Sequence, residues 1–363
     1  MPRIGRYNPF VIGVLTTVLA SAPTARSAEN VVVRLRIGEE WLEGQALAVS
    51  KRSVQLLTRD GFLRRIDPSA ARDYSRLPGP FRGYPANVMR SRLQKEFGKR
   101  FQVSGTGHYL VVHPVGQRDK WARRFEELFR SFQQYFGTRG FRPAAPQFPL
   151  VAVVFPDRNE FLQYARSTGA RIPSTAIGYY SHWSNRILLY DLTAGRSEQR
   201  WHHNAETIIH EATHQTAYNT GIHARYAPPP RWVAEGLATM FEARGVWDSP
   251  HYRDRATRIN RRMLEQFRKY SKERAAGSLK EFVRSDRLFL RDAAAAYAEA
   301  WALTFYLSET RPQQYMRYLK RTSSRAPFTR YDAGDRLSDF AAVFGRNLDL
   351  FESHYLRFIR SLR

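Results

Sequence analysis

The sequence predicts an α+β protein: a small β unit, then a mixed α/β stretch, then a mainly helical C-terminal part. Three observations carry this. Residues 30–75 are short alternating or β-branched runs separated by turn residues. Residues 109–155 combine apolar strand-like runs with an aromatic stripe at helical spacing. From Asn204 onward nearly every segment has helical periodicity.

In the first region the runs are VVVRLRI, WLEGQALAVS, SVQLLTR and GFLRRI. Asp60-Gly61 separates the last two, and Asp-Gly suits the positive φ angles of a tight hairpin turn. The pattern predicts a compact SH3-like or Sm-like barrel over residues 29–76. Leu77 to Pro85 (LPGPFRGYP) is dense in Pro and Gly and reads as a linker over 77–86. The remainder, 87–363, divides into an α+β part, 87–200, and a helical part, 201–363.

In the α+β part a helix is expected over Asn87 to Gly98, and a strand over Tyr109 to His113. Lys120 to Gly137 places Trp121, Phe125, Leu128, Phe129, Phe132 and Phe136 on one helical face, which reads as core. Leu150 to Phe155 (LVAVVF) reads as a buried strand and Arg158 to Ser167 as a short helix. Ala176 to Asp191 reads as a hairpin with Ser184-Asn185 near its tip. Beyond it, helices are expected over 204–219, 231–243, 253–272, 293–307 and 337–361.

Residues 1–28 stand apart. Arg3 and Arg6 form a basic n-region, Phe10 to Ala22 is apolar, and Ala20 to Ala28 is rich in small residues. This is the layout of a signal peptide, with an apolar run too short for an ordinary membrane span. A secreted or periplasmic location is expected.

The chain has no cysteine, which excludes thiolate metal sites, disulfides and cysteine nucleophiles. Its formal charge of +25 falls only to +22 on signal removal, which takes Arg3, Arg6 and Arg26 and no acid. The excess is spread over Lys51–Arg65, Arg90–Arg100, Arg253–Arg274 and Arg311–Arg330 instead of lying in one arm. That distribution suits a solvated basic surface facing anionic envelope polymers, and no nucleic-acid-binding motif accompanies it.

The chemistry concentrates between Glu206 and Glu242. His210-Glu211-Ala212-Thr213-His214 stacks two imidazoles one helical turn apart with a carboxylate beside the first. The helix is expected to start at Asn204 as N-cap and to stop near Gly221. Pro228 to Pro230 then suit the first turn of a second helix, in which Trp232-Val233-Ala234-Glu235-Gly236 supplies a third candidate ligand. Two His and one carboxylate make a catalytic zinc set with an open position for water. Gly236 costs about 1 kcal/mol against Ala in a helix interior, and close approach to the His210–His214 helix is the expected reason. His223 falls too late for a three-histidine arrangement, for which position 220 would be needed, and reads as a loop residue. His202 and His203 read as surface or supporting groups.

HExxH followed 21 residues later by the glutamate of a W-x-x-E-G-x-A helix resembles the gluzincins, the thermolysin-like zinc peptidases, and among them the peptidase-MA-like bacterial families. The resemblance spans roughly residues 105–310, and only the two motif helices are specific. It implies a gluzincin-like catalytic domain, zinc held by His210, His214 and Glu235, and Glu211 as general base. It also implies a Tyr or His from a downstream helix near the oxyanion; Tyr297, on a face with Trp301 and Thr304, is the candidate, with Tyr306 its rival. A substrate strand would lie along Ala176 to Tyr180 (AIGYY). One position departs from the pattern: Thr239 stands where these enzymes carry an Asp that orients a ligand His. The expected activity is that of an exported zinc metallopeptidase acting on a peptide or protein substrate. The alternatives are a noncatalytic zinc-stabilised module binding envelope polymers or nucleic acid, and a hydrolase of peptidoglycan cross-link amides.

Overall fold

The computed structural model describes residues 26–27, 31–117, 120–170, 172, 176–191 and 201–363. Apart from Arg26 and Ser27, the expected signal segment lies outside the described residues. Among the described residues no helix is long and apolar enough to cross a membrane. The fold is mixed α+β, with two sheets and a helical C-terminal part.

The first sheet contains β1 (Arg26–Ser27), β2 (Val32–Ile37), β3 (Glu40–Val49), β4 (Val54–Thr58), β5 (Leu63–Ile66) and β6 (Ala71–Leu77). Its order is β5-β4-β3-β2-β6, with β1 beside one end of β3 and every pairing antiparallel. Alternating side chains of these strands bury Val33, Leu35, Leu42, Leu56 and Ile66 in a core of their own. A short 3-10 turn, Pro68–Ala70, carries the chain from β5 to β6. Asp67 caps it by accepting from the backbone N–H of Ser69 at 2.9 Å.

The Pro/Gly-rich stretch expected as a linker is tied down. The Tyr84 N–H donates to the Arg59 carbonyl at 2.7 Å, and a Cβ on Gly83 would meet the Phe148 ring at 2.6 Å.

The second sheet holds β7 (Phe101–Gly105), β8 (Tyr109–Pro114), β9 (Leu150–Phe155), β10 (Gly178–Ser181) and β11 (Arg186–Tyr190). Its order is β10-β11-β9-β8-β7, parallel in the centre and antiparallel at both edges. All six residues of β9 are buried, because both faces of the sheet are covered. Leu150, Ala152 and Val154 face the main core, while Val151, Val153 and Phe155 face a second one. That second core includes Met89 and Leu93 from α1 (Ala86–Phe97) and Phe161 and Ala165 from α3 (Arg158–Ser167). The opposite face is covered by α2 (Lys120–Gly137), whose aromatic stripe is buried as expected, and by α4 (Trp201–Asn219).

The C-terminal part is helical: α5 (Arg231–Phe241), α6 (Arg244–Trp247), α7 (Arg261–Tyr270), α8 (Ser278–Arg284), α9 (Arg287–Arg291), α10 (Ala293–Thr310), α11 (Pro312–Ser323), α12 (Ala333–Phe344) and α13 (Leu348–Ser361). Two expected helices are broken. The 253–272 stretch becomes a 3-10 turn followed by α7, because Asn260 caps α7 by accepting from the Met263 N–H. The 337–361 stretch splits into α12 and α13 at Gly345, whose φ of 101° stops the first helix. Asn347 then caps the second by accepting from the Leu350 N–H.

Candidate metal centre

Helix α4 runs between the second sheet and the C-terminal helices, with Ile208, Ile209, Ala212 and Ala217 in the main core. It begins at Trp201, earlier than the expected Asn204 cap. The side chains of 201–204, His202 and His203 among them, lie outside the described residues. Edge strand β10 crosses close above α4: a Cβ on Gly178 would lie 2.6 Å from Thr207 Cγ2 and 3.3 Å from Glu211 Cγ. Glycine at this position lets Glu211 sit directly beneath the sheet edge.

Helix α5 lies between α4 and α10. Gly236 faces α10 and not the histidine helix: a Cβ there would run into the Thr304 hydroxyl and the Ala300 carbonyl. The expected reason for this glycine is therefore corrected. It admits α10, and α10 in turn carries Tyr297 to the site.

His210, His214 and Glu235 are fully buried and converge. The two Nε2 atoms are 3.1 Å apart and lie 3.3 and 3.4 Å from Glu235 Oε2. Ligands at about 2.0–2.1 Å from one tetrahedral ion stand about 3.3 Å from each other, so the triangle has the size of a single metal's coordination face. Hydrogen bonding makes the same point. The Nδ1–H of His210 donates to Glu242 Oε1 at 2.8 Å, which turns the Nε2 lone pair of the neutral ring toward Glu235 Oε2. A lone pair facing a carboxylate oxygen is repulsive unless a cation lies between them. Burial alone would push His210 down, but the hydrogen bonds to Glu235 and Glu242 and the Glu242 and Glu211 charges raise it to about 10. Burial would raise the Glu235 carboxyl, yet the two imidazoles hold it well below the usual carboxylate range. Among the described residues this is the one group of three such side chains close enough to share an ion.

Glu242 is the functional residue that the sequence reading missed. Its buried carboxylate also accepts from Asn260 Nδ2 at 2.9 Å and from Arg262 at 3.2 Å, so it is held still while it orients His210. Thr239 does not serve this role. Its hydroxyl donates to the carbonyls of Glu235 and Gly236, at 2.7 and 3.2 Å, and is consumed by its own helix. The available signal was the seven-residue spacing from Glu235, two helical turns on the same face.

Glu211 is buried; the Tyr180 backbone N–H approaches its carboxylate, but neither oxygen closes a well-formed hydrogen bond. Burial raises its carboxyl above the usual range, with His210 and His214 and the Tyr180 backbone N–H pulling the other way. An orphaned buried carboxyl is costly, and it is the kind of group that a reacting water would satisfy.

Tyr297 is brought to the same place, with its ring 6.4 Å from that of His210. Its hydroxyl is hydrogen-bonded to Arg231 and feels Glu235 and Glu211; burial and these carboxylates raise it well above its ordinary value. Arg231 Nε lies 3.5 Å from Glu235 Oε1, and the guanidinium stacks on Phe289 at 4.5 Å. Tyr306, the rival, packs on Phe351, Tyr355 and Phe358 in the C-terminal core.

His182, in the turn between β10 and β11, was also missed, since a lone hairpin His carries no motif. Both its ring nitrogens are buried without a partner, and its ring meets Tyr218, one turn beyond His214, at 4.2 Å. Burial, then the Arg225 charge, lowers His182 to about 3, so the ring is neutral. His223 stands in the connection after α4, as expected, and is outside the ligand triangle; burial lowers it to about 3. Arg225 donates to the carbonyls of His182, Trp183 and Gly61, at 2.7, 3.0 and 2.7 Å. It fastens the tip of the β4–β5 hairpin to the turn beside the metal triangle.

Fold and site together define an α+β protein with a buried His-His-Glu site able to hold one metal ion, next to a carboxylate without a well-formed hydrogen bond. A family model described as "Protein of unknown function (DUF1570)" matches residues 204–329, a span that contains all three ligand candidates, Glu211, Glu242 and Tyr297. No curated protein matches the chain.

Proposed function

We propose that the chain is a zinc-dependent peptidase of gluzincin type. The observation that carries this reading is the pairing of a one-metal ligand triangle with a fully buried Glu211 beside it that closes no well-formed hydrogen bond. A purely structural site has no use for that carboxylate. The antiparallel N-terminal sheet, with a small core of its own, supports reading it as an accessory β unit.

A zinc ion held by His210, His214 and Glu235 would supply Lewis acidity, polarising the scissile carbonyl and acidifying water. Glu211 takes the proton of the attacking water and hands it to the leaving nitrogen; its raised affinity for protons suits both steps. The Tyr297 hydroxyl, steadied by Arg231, donates to the oxygen that becomes negative. Glu242 keeps His210 in the ligating tautomer. The outer edge of β10 pairs with the substrate backbone and sets the scissile bond over Glu211.

The test measures metal content and hydrolysis of denatured casein and of purified cell-wall sacculi, for the wild type and for Glu211→Gln. Near-stoichiometric zinc in both proteins, with cleavage only in the wild type, is the expected result. Zinc without cleavage in either would favour the noncatalytic module. Cleavage of sacculi alone would assign the enzyme to cross-link amides.

A further inference from the structure

Between the N-terminal sheet and helices α1 and α3 lies a groove of about 970 Å³. Its deepest cation is Arg186 on β11, with a side chain only 4% exposed. Glu96 holds its two terminal nitrogens at 2.7 and 3.0 Å, while its Nε is buried without a partner. Arg64 on β5 also lines the groove with a buried, unpartnered Nε, although its terminal nitrogen stands 3.5 Å from Glu40. Arg65 from β5 and Arg92 and Lys95 from α1 add three cations that have no acidic partner among the described residues. Asp60 and Glu96 are the carboxylates that line it, and Glu96 is already consumed by Arg186. Concave walls with uncompensated positive charge concentrate anions.

The remaining wall is contributed by the end of β10 and the turn after it. It includes Ser181, Trp183 and Ser184. Ser181 ends β10 and shares the face of Tyr179, which belongs to the α1/α3 core. At the other end of the same strand, Gly178 lies over Glu211. Gly178 to Ser181 spans about 10 Å at strand rise. A polypeptide paired along β10 over Glu211 therefore runs toward the groove at its Ser181 end.

Resting on the peptidase reading of β10, we propose that this groove is a subsite for acidic side chains of the bound polypeptide. The acidic residues would stand about three to five positions from the scissile bond, on one side of it only. A polypeptide is favoured over other polyanions because β10 is the end strand of its sheet among the described residues, and an end strand pairs with another peptide backbone. The substrate class is thus an extended, acidic segment, matched to a strongly basic enzyme.

The test uses the full chain carrying Glu211→Gln, loaded with zinc, and fluorescent peptides of equal length. One set carries a block of glutamates on either side of a common centre, and the other carries glutamines in the same places. Anisotropy is expected to show about tenfold tighter binding of one glutamate peptide over its glutamine partner, weakening with salt. Adding Arg92→Gln and Lys95→Gln, both exposed, should erase that difference. In the wild type the same peptide should be cleaved with the higher kcat/KM. Equal binding of glutamate and glutamine peptides, or a preference that survives the double substitution, overturns the subsite. Tighter binding of a single-stranded oligonucleotide of matched charge overturns the polypeptide assignment. Cleavage without acidic preference would remove the groove and leave the peptidase; acidic preference without any cleavage by the wild type would do the reverse.

Discussion

Two of the buried ionic clusters among the described residues are built on opposite rules. Arg274, Glu299 and Glu352 form the first, in the helical C-terminal part. Arg274 donates to both oxygens of Glu299, at 2.8 and 2.9 Å, and approaches Glu352 at 2.6 Å. Glu352 also accepts from the backbone N–H groups of Gly277 and Leu279, so its oxygens are satisfied. In the second cluster, at His210, His214, Glu211 and Glu235, two imidazole nitrogens and a carboxylate oxygen face one another, and Glu211 closes no well-formed hydrogen bond. Burial is the same, but satisfaction differs. The carboxylates of the first cluster are closed by their hydrogen bonds, whereas the second leaves a carboxylate open, as the proposed chemistry would require.

The sharpest way to break this contrast is Glu211→Gln. Turnover should fall by about 10²–10⁴-fold, with zinc content retained and stability unchanged or raised, since the change removes an orphaned carboxyl. A large loss of stability on urea unfolding would put Glu211 with the structural cluster. Arg274→Leu should do the opposite. It strands two buried carboxylates, costing about 3–5 kcal/mol in urea unfolding, while zinc per folded molecule stays constant. Glu242→Gln sharpens the boundary between the two kinds of group. Zinc affinity measured by competition with a chelator should weaken by about 10–100-fold with little change in fold. The smallest expected effect is Gly236→Ala. Helix propensity alone would favour alanine by about 1 kcal/mol, but the methyl meets Ala300 and Thr304, so a net loss of about 1–3 kcal/mol is expected. A gain in melting temperature would return Gly236 to being an ordinary helix glycine.

Much of this arrangement is legible along the chain because it is local. HExxH spacing is a property of one helix, the aromatic stripe of α2 is another, and both stand where their periodicity put them. What was not legible depends on which helix meets which. Gly236 signals a close approach but not the identity of the neighbour, which turned out to be α10. Thr239 and Glu242 both lie near enough in sequence to support His210, and only packing decides between them. The breaks at Asn260 and Gly345 interrupt helical patterns that continue on both sides, so the periodicity alone runs through them.

The Arg225 fastening has a consequence for timing. Its bond to the Gly61 carbonyl joins residues 164 positions apart, whereas its bonds to His182 and Trp183 span 43 and 42. Contacts of such long range close late, after local helices and hairpins have formed. The fixing of the turn that ends strand β10 thus depends on the N-terminal sheet, whereas the His210–His214–Glu235 triangle is built from α4 and α5 alone. On this view, loss of the Arg225–Gly61 bond would loosen the turn that ends β10 while leaving the His210–His214–Glu235 triangle in place.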